Sequence, residues 1–459
     1  MYAFEFEKKK VYSDGNGVAA FLEENIEVEL NEFGLYEEKI IDENRIITDE
    51  LKKVLPYLND QFNKKEFTST LFSSIKNIKY NESLGYYNGL YVGNVIEGSY
   101  REEASSGGFG TWIFKELLEN NYIDGVLHVK ESKNQDTLFE YGVSKTIAEI
   151  KEGAKTRYYP VELSKVLEFV KDNPGKYAVI GIPTFISTLR LLVENDNYFR
   201  ENLVYFIGLV CGHQKSTKFG ELMAWQAGVK PGNPYKINFR EKLLNSPANK
   251  YGITVYSDEL EEGFKTIPTS KLYGQNWGYG FFKSVASDFT DDVFNETADV
   301  TLGDAWLPQY TQDSLGNNIL IVRNEVIKSL LVKAREEGRI SLNDESESTI
   351  FNSQSSHYNH THDELSYREF LKEKKGEWYP KSEVLPSKEI PYLRKKVQET
   401  RQLLAHQSHI SYKKAVEKND IKVFYNEMDP LIRKYEKIYR LIRLQKRGII
   451  KTLKQRFHR

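Results

Sequence analysis

The residues best suited to chemistry open a helix. Ala104-Ser105-Ser106-Gly107-Gly108-Phe109-Gly110 stands immediately before a run of apolar residues at helical spacing, Thr111 to Asn120. Successive glycines let backbone N–H groups approach a ligand with no Cβ in the way, and the start of a helix adds a dipole that favours a phosphate. Ser105, Ser106, Gly107 and Gly108 are therefore candidates for an anion cradle. The competing reading is a loop whose serine caps the helix. The stretch is neither a Walker motif nor a dinucleotide fingerprint. Downstream, Lys155-Thr156-Arg157-Tyr158-Tyr159-Pro160 sets two cations beside two aromatic rings. That combination suits a phosphate and a stacked planar ring, or else forms a solvated basic turn.

Three other clusters could react or bind. Cys211-Gly212-His213 follows an apolar strand; Cys211 and His213 would be the catalytic residues if they formed a thiolate–imidazole pair, whereas a lone buried cysteine is a small hydrophobe. Asp304 follows Gly303 at the end of the run from Thr297, where its carboxylate could accept from a ligand hydroxyl or ring N–H, or cap a turn. His357, His360 and His362 crowd together, but their spacing is neither helical i, i+4 nor that of separated zinc pairs. A polar loop is expected there, and no metal site.

The elements that must position these groups read as α/β. Gly125–Val129, Tyr177–Pro183 and Leu203–Cys211 are apolar runs without alternation, the last two followed by helical runs from Phe185 to Glu194 and from Ser216 to Ala227. Such runs require a sheet covered on both faces, and their alternation with helices favours right-handed βαβ units. Ligands in these sheets sit beyond the carboxyl ends of the strands, which brings Ile182-Pro183-Thr184 and Cys211-Gly212-His213 together. The expected fold is a mixed, largely parallel sheet with helices on both faces, a small N-terminal α+β module and a C-terminal helical tail. Boundaries fall at 1–80 for the module, 81–340 for the core, 341–430 for a polar extension and 431–459 for the tail, with loops and edge strands between Asn233 and Ser270.

Composition sets the outer limits. Aromatic residues make up 13% of the 459, which argues against disorder because such groups bury large apolar areas. A net charge of −2 gives no global attraction for nucleic acid. Cys211 is the one cysteine, which excludes an intramolecular disulfide, a multi-thiolate zinc site and a cluster held by four Cys of this chain. The first residues lack a cleavable signal pattern, and no stretch has the roughly 18 to 20 apolar residues of a membrane span, so the expected location is the cytoplasm. The tail carries eleven Lys or Arg against the single acid Glu436, a surplus of ten, which leaves the other residues at −12. Ile432, Tyr435, Ile438, Tyr439, Ile442, Ile449, Leu453 and Phe457 form its apolar stripe. Such a helix either lies on the inner face of a membrane or docks on the acidic body of its own protein.

Taken in order, these segments resemble the beta subunit of coenzyme F420 hydrogenases and dehydrogenases, including bacterial relatives associated with polysaccharide gene clusters. Glu103 to Gly108 looks like the family's Ser-Ser-Gly-Gly loop, Tyr122 to Val126 like the strand after it, and Lys155 to Pro160 like its Ser-Lys-Tyr-type segment. Gly181-Ile182-Pro183-Thr184 stands where members carry Gly-Thr-Pro-Cys, Gly208 to Cys211 where they carry a Gly-Leu-Phe-Cys-like strand end, and Ala298 to Trp306 resembles Ala-Asp-Ile-Ser-Val-Gly-Asp-Ala-Trp. The resemblance implies FAD held by Ser105, Ser106, Gly107, Gly108, Lys155, Arg157, Tyr158, Pro183, Thr184 and Asp304. It also implies hydride or electron exchange with iron–sulfur clusters, but the family's thiols are missing. Ile26 to Glu37 looks like a ferredoxin-like remnant without cysteines, Thr184 replaces a Cys, and Phe282 to Phe289 lacks an expected Cys pair. Two readings follow: a flavoenzyme exchanging hydride with a small metabolite, or a non-catalytic member that binds a partner through its basic tail. A small-molecule substrate is the expected partner, with membrane contact and a second copy of the chain left open.

Overall fold

A computed structural model describes residues 1–133 and 137–457, with side chains along the last helix only as far as residue 448. Its centre is an eight-stranded sheet of β1 (Gly89–Val95), β2 (Gly125–Glu131), β3 (Phe139–Ser144), β4 (Tyr177–Gly181), β5 (Leu203–Leu209), β6 (Val300–Asp304), β7 (Asn318–Val322) and β8 (Ile340–Asp344). The spatial order is β8-β1-β7-β6-β5-β4-β2-β3. Neighbours among β2, β4, β5 and β6 are parallel, and every other pairing is antiparallel. Because β7 is antiparallel to both β6 and β1, β1 runs with the parallel group, so five of the eight strands point one way. The expected mixed, largely parallel sheet is what forms.

Its apolar runs lack alternation because both faces are covered. Leu127, Val179 and Phe206 pack into one core with Phe185, Leu189 and Leu192 of α2 (Pro183–Asn195). Their sequence neighbours Val126, Ala178 and Ile207 pack into another, with Phe109, Trp112 and Leu117 of α1 (Phe109–Glu119). Adjacent strand residues face opposite sides of a sheet, so each strand must be apolar throughout.

The N-terminal module places the antiparallel hairpin Ile26–Leu30 and Tyr36–Ile40 among short helices. Phe6, Val18, Leu51 and Leu58 belong to the same core as Phe185 and Val179. The module therefore has no core of its own and is fastened to one face of the sheet. Residues Asn233 to Ser270 include a three-stranded antiparallel sheet, Lys236–Glu241, Gly252–Tyr256 and Phe264–Pro268, with a bulge between Asn238 and Glu241.

After β8, helices replace the expected polar stretch. They include α4 (Glu347–Tyr358), Leu365–Lys375 and α5 (Tyr392–Glu417). Their periodicity is hard to read because α5 buries Gln398, Thr400, Arg401, Ser408 and Ser411 along with its apolar residues. The last helix, α6 (Ile421–Phe457), starts ten residues before the expected boundary and packs along α5. On its stripe Tyr435 and Ile438 are buried, with Ile432, Tyr439 and Ile442 packed against the same core. That part docks on its own body; Ile449, Leu453 and Phe457 lie outside the described side chains. Among the described residues no helix is long and apolar enough to cross a membrane.

Candidate functional site

The carboxyl ends of the parallel strands open on a cavity of about 510 Å³. Ile180 and Gly181 of β4, Leu209 after which β5 gives way to Val210–Lys215, and Leu302–Asp304 of β6 line it. The start of α1 lies at the same edge, and Gly108, Gly110 and Thr111 form part of the wall. Gly108 is the N-cap residue at φ 93°, a left-handed conformation that favours glycine, and no side chain caps the helix. The two serines are used elsewhere. Ser105 Oγ accepts from the Thr156 N–H at 2.8 Å, and Ser106 Oγ donates to the Asn317 carbonyl at 2.9 Å. They pin the turn between the Lys155–Tyr158 segment and β7, which leaves the first-turn amides of α1 available to an anion.

A residue that the sequence reading missed joins the expected ones. Arg240, on the first strand of the small sheet and 4% exposed, ion-pairs with Asp304 at 3.0 Å and donates to Tyr158 Oη at 3.2 Å and the Ser105 carbonyl at 3.4 Å. Its guanidinium lies over the Tyr251 ring at 4.2 Å. Burial opposes its charge, but Asp304, Tyr158 and Tyr251 together outweigh it and hold the pKa above the ordinary arginine value. Arg240 thus ties together three segments more than fifty residues apart. Lys242, two positions on, donates to the Arg101 and Ser106 carbonyls, and burial pulls its ammonium to about 8. Lys155 occupies a left-handed conformation at φ 81°. Arg157 stacks over Phe139 at 4.9 Å, and Tyr158 meets Trp277 edge to face at 4.6 Å.

Other expected site residues fall differently. Gly107 is not on the cavity wall: a Cβ there would stand 2.7 Å from the Gly93 carbonyl and 2.8 Å from Asn318 N. Its missing side chain serves close packing on β1 and β7. Pro183 and Thr184 also leave the wall, because α2 begins at Pro183 and carries both into the first turn. Cys211 and His213 do line the cavity, yet neither takes the ionised state a thiolate–imidazolium pair needs. Burial pushes the Cys211 thiol up to about 11. Burial, with Lys215, Lys283 and Arg401 nearby, pushes His213 well below the usual imidazole value, and its ring leans on Trp277 at 4.9 Å. The histidine trio separates: His357 lines the cavity, His360 bonds to Tyr439 Oη at 3.1 Å, and His362 stacks on Tyr358 at 4.5 Å.

The wall is cationic and incompletely satisfied. Lys155, Arg157, Lys215 and Arg240 line it against one carboxylate, Asp304. Five of its buried polar atoms have no hydrogen-bond partner among the described residues: Arg157 Nε, His213 Nε2, Gln214 Oε1, Arg240 Nε and His357 Nδ1. Buried polar atoms are normally paired, so this set leaves unmet hydrogen-bonding capacity in residues around the cavity. Its sign of charge calls for an anion, and Tyr141, Phe185, Tyr251, Trp277 and Trp306 supply flat apolar surface beside the cations.

Residues 90–168 match the family model for the N-terminal part of the coenzyme F420 hydrogenase/dehydrogenase beta subunit, and residues 175–348 match that for its C terminus. The chain belongs to this beta-subunit family. Among solved structures, one similar chain comes from the F420-reducing [NiFe] hydrogenase complex of Methanosarcina barkeri, studied by xenon derivatization. It is 17% identical with a TM-score of 0.49, over 65% of this chain and 96% of that one. No curated protein matches the chain. The family's two matched spans hold nearly the whole cavity wall; Gln354 and His357 on α4 lie beyond them. Membership gives this beta-subunit relative a redox-related role and leaves its cofactor to the chemistry of the wall.

Proposed function

We propose that the chain is a flavin-dependent oxidoreductase that exchanges hydride with a small metabolite and works without iron–sulfur clusters of its own. The observation carrying this reading is the set of five unpartnered polar atoms on a cavity with four cations, one carboxylate and several aromatic rings. These residues fit FAD. The amides opening α1, with Arg157 and Arg240, would hold the pyrophosphate; Tyr158, Tyr251 and Trp277 would offer faces to the planar rings. Bound there, FAD supplies two-electron hydride chemistry.

The chain's own groups then bind, orient and exclude water. Asp304 fixes Arg240, and Ser105 fixes the backbone of Thr156, so the phosphate-binding groups are held before the ligand arrives. Neutral His213 can hydrogen-bond a substrate oxygen through Nε2. Cys211, protonated, acts as an apolar wall. Its single thiol cannot replace the four thiolates of a cluster, so hydride exchange is assigned to flavin and substrate alone. The resemblance to polysaccharide-cluster relatives suggests a nucleotide sugar or a related envelope metabolite as substrate.

Purified full-length protein tests the reading through its visible spectrum. Flavin absorbance that survives desalting in wild type and is lost in Arg157→Met supports it. A colourless protein that FAD does not stabilise against heat overturns it in favour of a non-catalytic binding protein.

A further inference from the structure

Some of the cations around the cavity are independent of the turn before α1. Lys215 lines the wall and faces Lys283 across an isolated antiparallel bridge; the two are 3% and 5% exposed. The Lys215 ammonium donates to the Phe281 carbonyl at 2.6 Å and lies over the Trp277 and Phe219 rings at 4.7 and 4.9 Å. The charged groups that act on it are the cations Lys283 and Arg401. Lys283 pairs with Asp288, which Arg368 also approaches at 3.9 Å. Buried Arg401 of α5 acts on His213, Lys215, Lys283 and His357 together. Lys215, Lys283 and Arg401 against Asp288 leave a surplus of at least two positive charges.

Uncompensated charge away from water is costly, and these groups respond by yielding protons. Burial and like charges hold Lys215 well below the ordinary lysine value and bring Lys283 to about 8. His213 Nε2, on the loop that carries Lys215, is buried with no partner among the described residues. An anion here would restore the missing protons and satisfy that nitrogen. A dianion would match the surplus.

We propose that this cluster is a second anion subsite, which receives the phosphate group of a small phosphorylated substrate against Lys215. The substrate assignment rests on the flavin reading, in which the turn at Ser105–Gly108 is taken by the cofactor's own pyrophosphate. Because the anion favours the charged lysines, its binding takes up protons.

Calorimetric titration of the full-length protein at pH 8, in two buffers of different ionisation enthalpy, tests this with inorganic phosphate and a sugar 1-phosphate. Wild type is expected to bind phosphate with uptake of about one proton, and the sugar phosphate more tightly. Lys215→Met should weaken binding by about tenfold or more, the loss of one charge-assisted contact, and abolish the uptake. Arg401→Met should weaken it as well. Without phosphate, Lys215→Met is expected to melt close to wild type, since the buried amine it replaces has already yielded its proton there. Phosphate binding that survives Lys215→Met and Arg401→Met overturns the subsite. A sugar phosphate that binds more weakly than phosphate overturns the substrate assignment. Flavin absorbance of the same preparations separates the two proposals: a wild type without flavin sinks the cofactor and leaves the phosphate comparison to decide the subsite, while a flavin-bearing protein indifferent to phosphate sinks the subsite alone.

Discussion

At the scale of single residues, Arg240 and Cys211 mark the two ways in which sequence and structure part. Arg240 lies in a stretch whose polar composition suggests loops, and nothing in its neighbours points to Asp304, 64 residues on. Only the small sheet, bulged beside it, carries its side chain to the cavity. Arg240→Met leaves Asp304 without its partner, which should cost about 3–5 kcal/mol of stability. Adding Asp304→Asn should recover most of that loss, and urea unfolding of the two variants and their double mutant reads it. Cys211 shows the reverse: its position at a strand end was legible, but its protonation was not, because burial depends on the surrounding elements. With the thiol at about 11, its alkylation at pH 8 should run about two orders of magnitude slower in the folded than in the unfolded chain. Cys211→Ser should retain FAD as wild type does. Fast alkylation, or flavin loss in that variant, would return the thiol to the chemistry.

Elements were easier to read than contacts. Strands β2, β4 and β5 and helices α1, α2 and α3 (Thr217–Ala227) announce themselves through apolar runs and helical spacing, since each must cover a face of the sheet. What spacing cannot show is which side of a tight turn a glycine faces. Gly107 lies among the cradle residues, yet it packs on β1 and β7. Gly107→Ala should therefore destabilise the fold by about 1–3 kcal/mol, seen as a lower melting temperature with or without FAD; a variant of wild-type stability that loses only its flavin would contradict this placement. The N-terminal hairpin carries a different device. Glu38 on its second strand is completely buried, and burial raises its carboxyl from 4.5 to about 7. A folded pKa above the unfolded value means that this group's stabilising effect is full below about pH 4.5 and is lost as pH rises through about 7. The loss is on the order of 3 kcal/mol. Glu38→Gln should flatten that decline in a pH series of melting curves, leaving the smaller part due to Asp14, which burial raises to about 6. An unchanged slope between pH 4.5 and 7 would show that the carboxyl is solvated.

For the molecule as a whole, the long-range assembly was the least legible. The 1–80 and 341–430 stretches read as separate pieces, but both contribute to the core beneath the sheet. The C-terminal hairpin of α5 and α6 has buried polar residues that hide its periodicity, and its stripe follows a pattern that fits membrane docking as well as self-docking. Phe424, Met428, Tyr435 and Ile438 of α6 are buried against the body, whereas Arg443, Leu444, Lys446 and Arg447 are exposed. Leu444→Ala should change the melting temperature by less than about 2 °C, because that side chain is exposed. Ending the chain at Lys418 would strip four large side chains from the core, each worth about 1.5–3 kcal/mol, a sum comparable to the whole stability of a domain; insoluble protein is expected. A soluble, cooperatively melting product would show that the hairpin is dispensable. The cavity itself joins strand ends, the opening of α1, the small sheet and α4, and its purpose is most directly tested by titrating FAD and riboflavin separately into the purified protein. If the cations read a pyrophosphate, FAD should bind at about one per chain, and riboflavin, which lacks phosphate, about a hundredfold more weakly, in line with two lost charge-assisted contacts. Equal affinity for the two, or no binding of either, would contradict that role for the wall.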